Sequence, residues 1–118
     1  MDKVVVPEQG TFKCVILTDG TNKVFRAGRG EYHKNVVWMV KRQEPELTDY
    51  RVAGGGRIAI KPGHHDWDTN KWVYEQHIRV YGYSVDFGEM DIDDVEELVA
   101  PYAKQLGLEF INETGNGY

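Results

Sequence analysis

Apolar residues change their spacing several times along the chain, and each change predicts an element. From Thr11 to Thr18 the alternation puts Phe12, Cys14 and Ile16 on one face and Val15 and Leu17 on the other. That pattern predicts a strand buried on both sides. Lys13 lies near its start, where the ammonium group reaches past the sheet edge. The turn-forming run Asp19-Gly20-Thr21-Asn22 leads into a second strand, Lys23 to Ala27. From Glu31 to about Glu44 the period becomes helical: Tyr32, Val36, Met39 and Val40 recur, and Pro45 closes the segment. His33 falls in the first turn of this helix or just before it.

A second helix is expected from Asp91 to about Gln105, with Val95, Leu98, Val99 and Tyr102 as its apolar face. Asp91 is its N-cap, with Asp94 three residues on, and Gly107 is its stop. Between the helices, Asp49–Ala53 and Arg57–Lys61 read as strands flanking Gly54-Gly55-Gly56. Trp72–Tyr83 holds one long strand or two consecutive ones, and Leu108–Ile111 is the last. About six strands and two helices, with strands following one another on either side of the helices, point to an α/β fold. A mixed sheet with the helices packed on it is expected, in a single domain over residues 1–118.

Composition narrows the class of function. At 118 residues the chain holds one hydrophobic core, and 41% hydrophobic with 28% charged residues is ordinary for a globular protein. A net charge of −5 argues against a general nucleic-acid binder, although 14 Lys and Arg leave room for a local anion pocket. One cysteine, Cys14, excludes an internal disulfide and fits a reducing compartment. Val4-Val5-Val6 before Pro7 is too short for a signal-peptide core, and no apolar run is long enough to span a bilayer. A cytoplasmic monomer with no membrane or nucleic-acid partner is the expectation.

Several stretches carry candidate chemistry. Arg79 to Gly88 runs from a strand into a turn containing Gly82, Ser84 and Gly88, which can present backbone N–H groups and a hydroxyl to an oxyanion. His33 at a helix N-terminus faces the positive end of the helix dipole, which disfavours the imidazolium. A neutral imidazole there serves as a base or nucleophile, or simply as a capping residue. Gly54-Gly55-Gly56-Arg57 reads either as an anion-binding nest beside a guanidinium or as a flexible turn; it is not a P-loop. No G-x-S-x-G surrounds Ser84, and Cys14 inside a strand is a poor phosphatase nucleophile. His64-His65-Asp66-Trp67-Asp68 has metal-binding residue types, but its place between two strands favours a solvated hairpin tip. Asp91-Ile92-Asp93-Asp94 lacks EF-hand spacing and is explained by capping. His77, Arg79 and Tyr81 alternate along one partly packed strand face, and Tyr81, Tyr83 and Phe87 pack the sheet rather than stack on bases.

Taken in order, these pieces resemble the small phosphohistidine phosphatases related to the janus proteins. The matching segments are Gly10-Thr11-Phe12-Lys13, Arg26 followed by Glu31-Tyr32-His33, Gly54 to Ile58, Ile78 to Ser84 with Phe87-Gly88, and Asn116-Gly117-Tyr118. The resemblance implies a single α/β domain that hydrolyses the phosphorus–nitrogen bond of phosphohistidine in proteins, with no metal or other cofactor. It implies His33 as the catalytic histidine and Lys13 as a substrate-binding or charge-stabilising residue. Arg26 and Arg57 fall on arginine positions of the family motif, and Ser84, Val85 and Asp86 on its phosphate-binding loop. The implied partners are histidine-phosphorylated proteins or peptides.

Two departures stand out. The family loop carries a small residue where this chain has Asp86, whose carboxylate repels phosphate unless it points away or pairs with Lys13 or Arg26. The stretch from Lys61 to Glu75 is longer than the resemblance implies and is expected to lengthen a hairpin away from the site. His33 serves as general base or as nucleophile on this reading. A phosphohistidine- or phosphopeptide-binding module without turnover is the alternative, against which the pairing of Lys13 with a potential base counts.

Overall fold

A computed structural model of the chain describes residues 1–61, 64–73 and 76–115. In chain order the elements are β1 (Val4–Val5), β2 (Gly10–Thr18), β3 (Lys23–Gly28), α1 (His33–Gln43), a 3-10 turn at Pro45–Leu47, β4 (Arg51–Lys61), β5 (His64–Asp66), β6 (Lys71–Val73), β7 (His77–Gly82), α2 (Ile92–Leu106) and β8 (Glu109–Thr114). Six strands form one sheet in the order β1-β3-β2-β4-β7-β8. The pairs β1–β3 and β7–β8 are parallel and the other three antiparallel, so the sheet is mixed and the fold is α/β, as expected.

The double-sided pattern of β2 places it inside the sheet and feeds both faces. Phe12, Cys14 and Ile16 join Ile58, Ile60, Ile78 and Val80 under Val95, Leu98 and Val99 of α2. Val15 and Leu17 join Val24 under Val36 and Val40 of α1. Each fully buried aliphatic side chain here contributes about 1.5–3 kcal/mol. The ends of α2 are as expected: the Asp91 carboxylate accepts from the N–H groups of Asp93 and Asp94 at 2.9 and 3.1 Å, and Gly107 takes the left-handed conformation. The stripe of apolar contacts carries this helix through Pro101, which lies on its exposed side.

Three local expectations are corrected and one strand is added. Tyr32 is the exposed N-cap of α1 and lies outside its buried face; its N–H donates to Asn35 Oδ1 at 2.9 Å while the Asn35 N–H donates to its carbonyl. Gly54-Gly55-Gly56 is no turn between two strands, because β4 runs continuously through it. The register slips there: Val15 pairs with Gly55 but Leu17 with Val52. A side chain at Gly54 would collide with the Glu89 carbonyl, and a Cβ at Gly56 would lie 2.7 Å from the Tyr81 oxygen, so close packing explains the triplet. Lys13 does not reach past a sheet edge, since β2 is flanked by β3 and β4. Finally, Val4–Val5 forms a short edge strand that a run of three valines before a proline is too short to announce.

The segment after β4 folds back as a hairpin of its own, β5 against β6 with a turn over 67–70. The metal reading of His64-His65 rests on side chains outside the described residues, as does the resemblance at Asn116-Gly117-Tyr118. Among the described residues no helix is long and apolar enough to cross a membrane.

Candidate functional site

His33 is the first residue of α1, and its imidazole is packed against the glycine-rich part of β4 with 5% of its surface exposed. Its Nε2 lies 2.8 Å from the Gly56 carbonyl oxygen. A carbonyl only accepts, so Nε2 carries the hydrogen and donates it, and Nδ1 keeps the lone pair. A Cβ at Gly55 would stand 2.9 Å from both His33 Cδ2 and Ser84 Cβ. The imidazole and the Ser84 turn therefore meet over Gly55, a seat that only a residue without a side chain provides.

Electrostatics keep this histidine neutral. Burial lowers its pKa from the ordinary 6.5, and the positive charges of Lys13 and Arg57 push the same way. The bond to Gly56 and the negative charge of Asp86 oppose them without reversing the direction. At neutral pH the Nδ1 lone pair is available to accept a proton.

The two cations come from facing strands. Lys13 on β2 is the direct register partner of Arg57 on β4, which in turn pairs with Tyr81 on β7. Cross-strand partners share a face, and strand alternation puts this one on the α1 side of the sheet. Among the described residues the Lys13 ammonium makes no hydrogen bond or ion pair.

The turn after β7 closes on itself. Ser84 donates its N–H to the Gly88 carbonyl at 3.1 Å, Gly88 donates back to Ser84 at 2.8 Å, and the Gly55 N–H donates to the same Gly88 carbonyl at 3.1 Å. The buried Ser84 Oγ accepts from the Phe87 N–H at 3.2 Å, so its first role is to shape the turn. Among the described residues the N–H groups of Val85 and Asp86 have no protein acceptor. Val85 is 86% exposed at the tip, and Tyr83 is exposed rather than packed on the sheet. Asp86 is exposed and, among the described residues, pairs with neither Lys13 nor Arg26.

Thus the structure gathers His33, Lys13, Arg57 and the Ser84-Val85-Asp86 turn, but not Arg26. The Arg26 side chain is 1% exposed and donates twice to Glu44, at 2.8 and 2.9 Å, and also to the carbonyls of Phe25 and Asp2. Its guanidinium is engaged at the far end of α1, whose 11 residues span about 16 Å, so it does not serve the site as a phosphate ligand. Cys14 is fully buried and its thiol pKa is pushed up, which removes it as a nucleophile. Sequence reading missed the Gly55 seat and the Gly56 carbonyl; glycine within a strand pattern, a mark of close backbone approach, was the available signal.

The sequence model of the Janus/Ocnus family (Ocnus) matches residues 1–106, which include every residue of the site just described. Comparison with curated proteins found no match.

Proposed function

The chain belongs to the Janus/Ocnus family, and from that membership and the surroundings of His33 we propose that it is a protein phosphohistidine phosphatase. The observation that carries the proposal is a buried, neutral histidine whose Nε2–H is held by Gly56, beside two cations and a turn with open N–H groups. On this reading a phosphoryl group is held between them. Its oxygens accept from the Val85 and Asp86 N–H groups and are offset by Lys13 and Arg57, which is the electrostatic positioning that phosphoryl transfer demands. A water placed in line with the P–N bond gives its proton to His33 Nδ1 as its oxygen bonds to phosphorus. The P–N electron pair leaves on the substrate's phosphorylated ring nitrogen, and because the other ring nitrogen carries a proton the imidazole departs neutral. This inventory needs no metal, and the expected partners are cytoplasmic histidine-phosphorylated proteins or peptides.

The test is phosphate release from a histidine-phosphorylated polypeptide and from phosphoramidate, in the presence of a chelator. The parent protein is expected to release phosphate and His33→Ala to lose at least about a hundredfold. No release by the parent sinks the enzyme reading. Binding of the phosphorylated polypeptide without release would favour the binding module instead, and equal release by His33→Ala would remove His33 from the mechanism.

A further inference from the structure

A carboxylate is out of place in a pocket built for an anion, and Asp86 puts one at its mouth. Its neighbours in the site are cationic or neutral: Lys13 and Arg57 face each other across β2 and β4, and His33 lies beneath. Asp86 is exposed, and the turn that carries it is pinned by the reciprocal Ser84–Gly88 bonds and the Gly55–Gly88 bond. Among the described residues it has no side-chain hydrogen bond and no ion pair. Neither stability nor capping of the turn accounts for it, since Ser84 Oγ already performs that task.

The opposite burial of His33 and Asp86 orders the reaction path. On the phosphatase reading the base is the buried imidazole, so water attacks phosphorus from the inner side. In-line displacement then sends the leaving group outward, past the rim where Asp86 sits. Leaving groups differ in charge at that point. The nitrogen of a protonated phosphoramidate is cationic, whereas the oxygen of a phosphate ester is neutral and becomes negative as the bond breaks.

Resting on the phosphatase reading, we propose that Asp86 determines leaving-group specificity: its carboxylate pairs with the cationic nitrogen of a phosphoramidate and repels the oxygen of a phosphate ester. For phosphoramidate the balance is complete. The P–N bond breaks with its electron pair going to a nitrogen that already carries three hydrogens, so ammonia departs neutral. Water supplies the new P–O bond, and its proton passes to His33 Nδ1. The cation beside the phosphoryl group has two possible sources, the leaving nitrogen itself or a basic side chain next to it in a polypeptide. Phosphoramidate has only the first.

The experiment compares the parent with Asp86→Asn, Asp86→Ala and Asp86→Glu on phosphoramidate, on p-nitrophenyl phosphate and on histidine phosphopeptides with and without a neighbouring basic residue, by kcat/KM and by dissociation constant. In Asp86→Asn and Asp86→Ala the preference for phosphoramidate is expected to fall about tenfold. Phosphoramidate turnover drops and ester turnover rises, while Asp86→Glu keeps much of the preference. Equal changes on both substrates, or none, would overturn the proposal. Loss of preference confined to phosphopeptides with a neighbouring basic residue would also overturn it, because the leaving nitrogen would then not be the group recognised. If the parent binds phosphoramidate more tightly than the ester but releases no phosphate, the phosphatase reading fails. The role of Asp86 then stands or falls on whether Asp86→Asn abolishes that binding preference.

Discussion

His33 is where residue chemistry decides most. Its pKa is lowered in the folded chain, first by burial and then by Lys13 and Arg57, so protonation opposes folding and, on the proposed reading, catalysis. If Nδ1 is the base, activity falls on acidification with a midpoint below the ordinary histidine value of 6.5. A midpoint at or above that value would refute the assignment. The stability consequence has the same sign. The unfolded chain takes up a proton near 6.5 while the folded chain resists until lower pH, so stability declines as pH drops through that interval. Urea melts between pH 7 and 5 are expected to show this slope, and His33→Asn to flatten it. The position of His33 was legible in sequence, because a helix start can be read from local pattern. Lys13 entered as a site candidate only through the family resemblance, and its local reading at a sheet edge did not hold. The role of Arg26 was not legible. Its partners are Glu44, 18 residues on, and the Asp2 carbonyl, 24 residues back, and only the folded chain brings them together. Arg26→Met is accordingly expected to cost on the order of 2–3 kcal/mol of stability and to leave kcat/KM per folded molecule unchanged. A weakened affinity for phosphate in the folded variant would return Arg26 to the site.

At the scale of elements, β4 joins core to chemistry. Its alternating residues Ile58 and Ile60 enter the α2 core, Arg57 enters the pocket, and the glycines let β4 touch three neighbours at once. Helix α2 was readable because its apolar period is long and both its caps are marked, and α1 because its apolar period runs up to Pro45, although its N-cap Tyr32 reads locally as part of its apolar face. A glycine triplet reads locally as a break, and it takes Glu89, Tyr81 and His33 pressing on it to show why it remains strand. Gly55→Ala tests this directly. The new methyl group meets His33 Cδ2 and Ser84 Cβ at 2.9 Å and the Cys14 carbonyl at 3.1 Å, so something must move. A stability loss of about 1–3 kcal/mol is expected from overpacking. Activity is expected to fall further, by about a hundredfold, because displacing the imidazole by an ångström spoils its aim. Loss of stability with full activity would show that Gly55 does not seat the histidine.

In the whole molecule the sheet is covered unequally, and the site follows from that. Helix α2 packs on the long apolar rows of β2, β4 and β7, whereas the buried α1 core draws on β2, β3 and the 3-10 turn, with only Val52 at the start of β4 packed against it. The α1 face beyond its N-terminus is left for polar residues, among them Arg79, paired with Glu113 at 3.1 Å and lying over the Tyr81 ring. Hairpin β5–β6 stands outside this arrangement as a separate two-stranded sheet. It joins the large sheet beyond the Lys61–His77 pair, four residues along β4 from Arg57 and so about 13 Å from the pocket. Replacing residues 62–75 with Asn-Gly leaves, with Gln76, a three-residue loop between Lys61 and His77, a length that antiparallel strands accept. Gln76 is kept because its carbonyl accepts from the Glu109 N–H at 3.2 Å and so ties β7 to β8. The shortened chain is expected to unfold cooperatively and to release phosphate from phosphoramidate at a rate within about twofold of the parent. A large loss on phosphoramidate would mean that the hairpin supports the site through the sheet. Loss confined to phosphorylated polypeptides would instead make it part of how a large substrate is held.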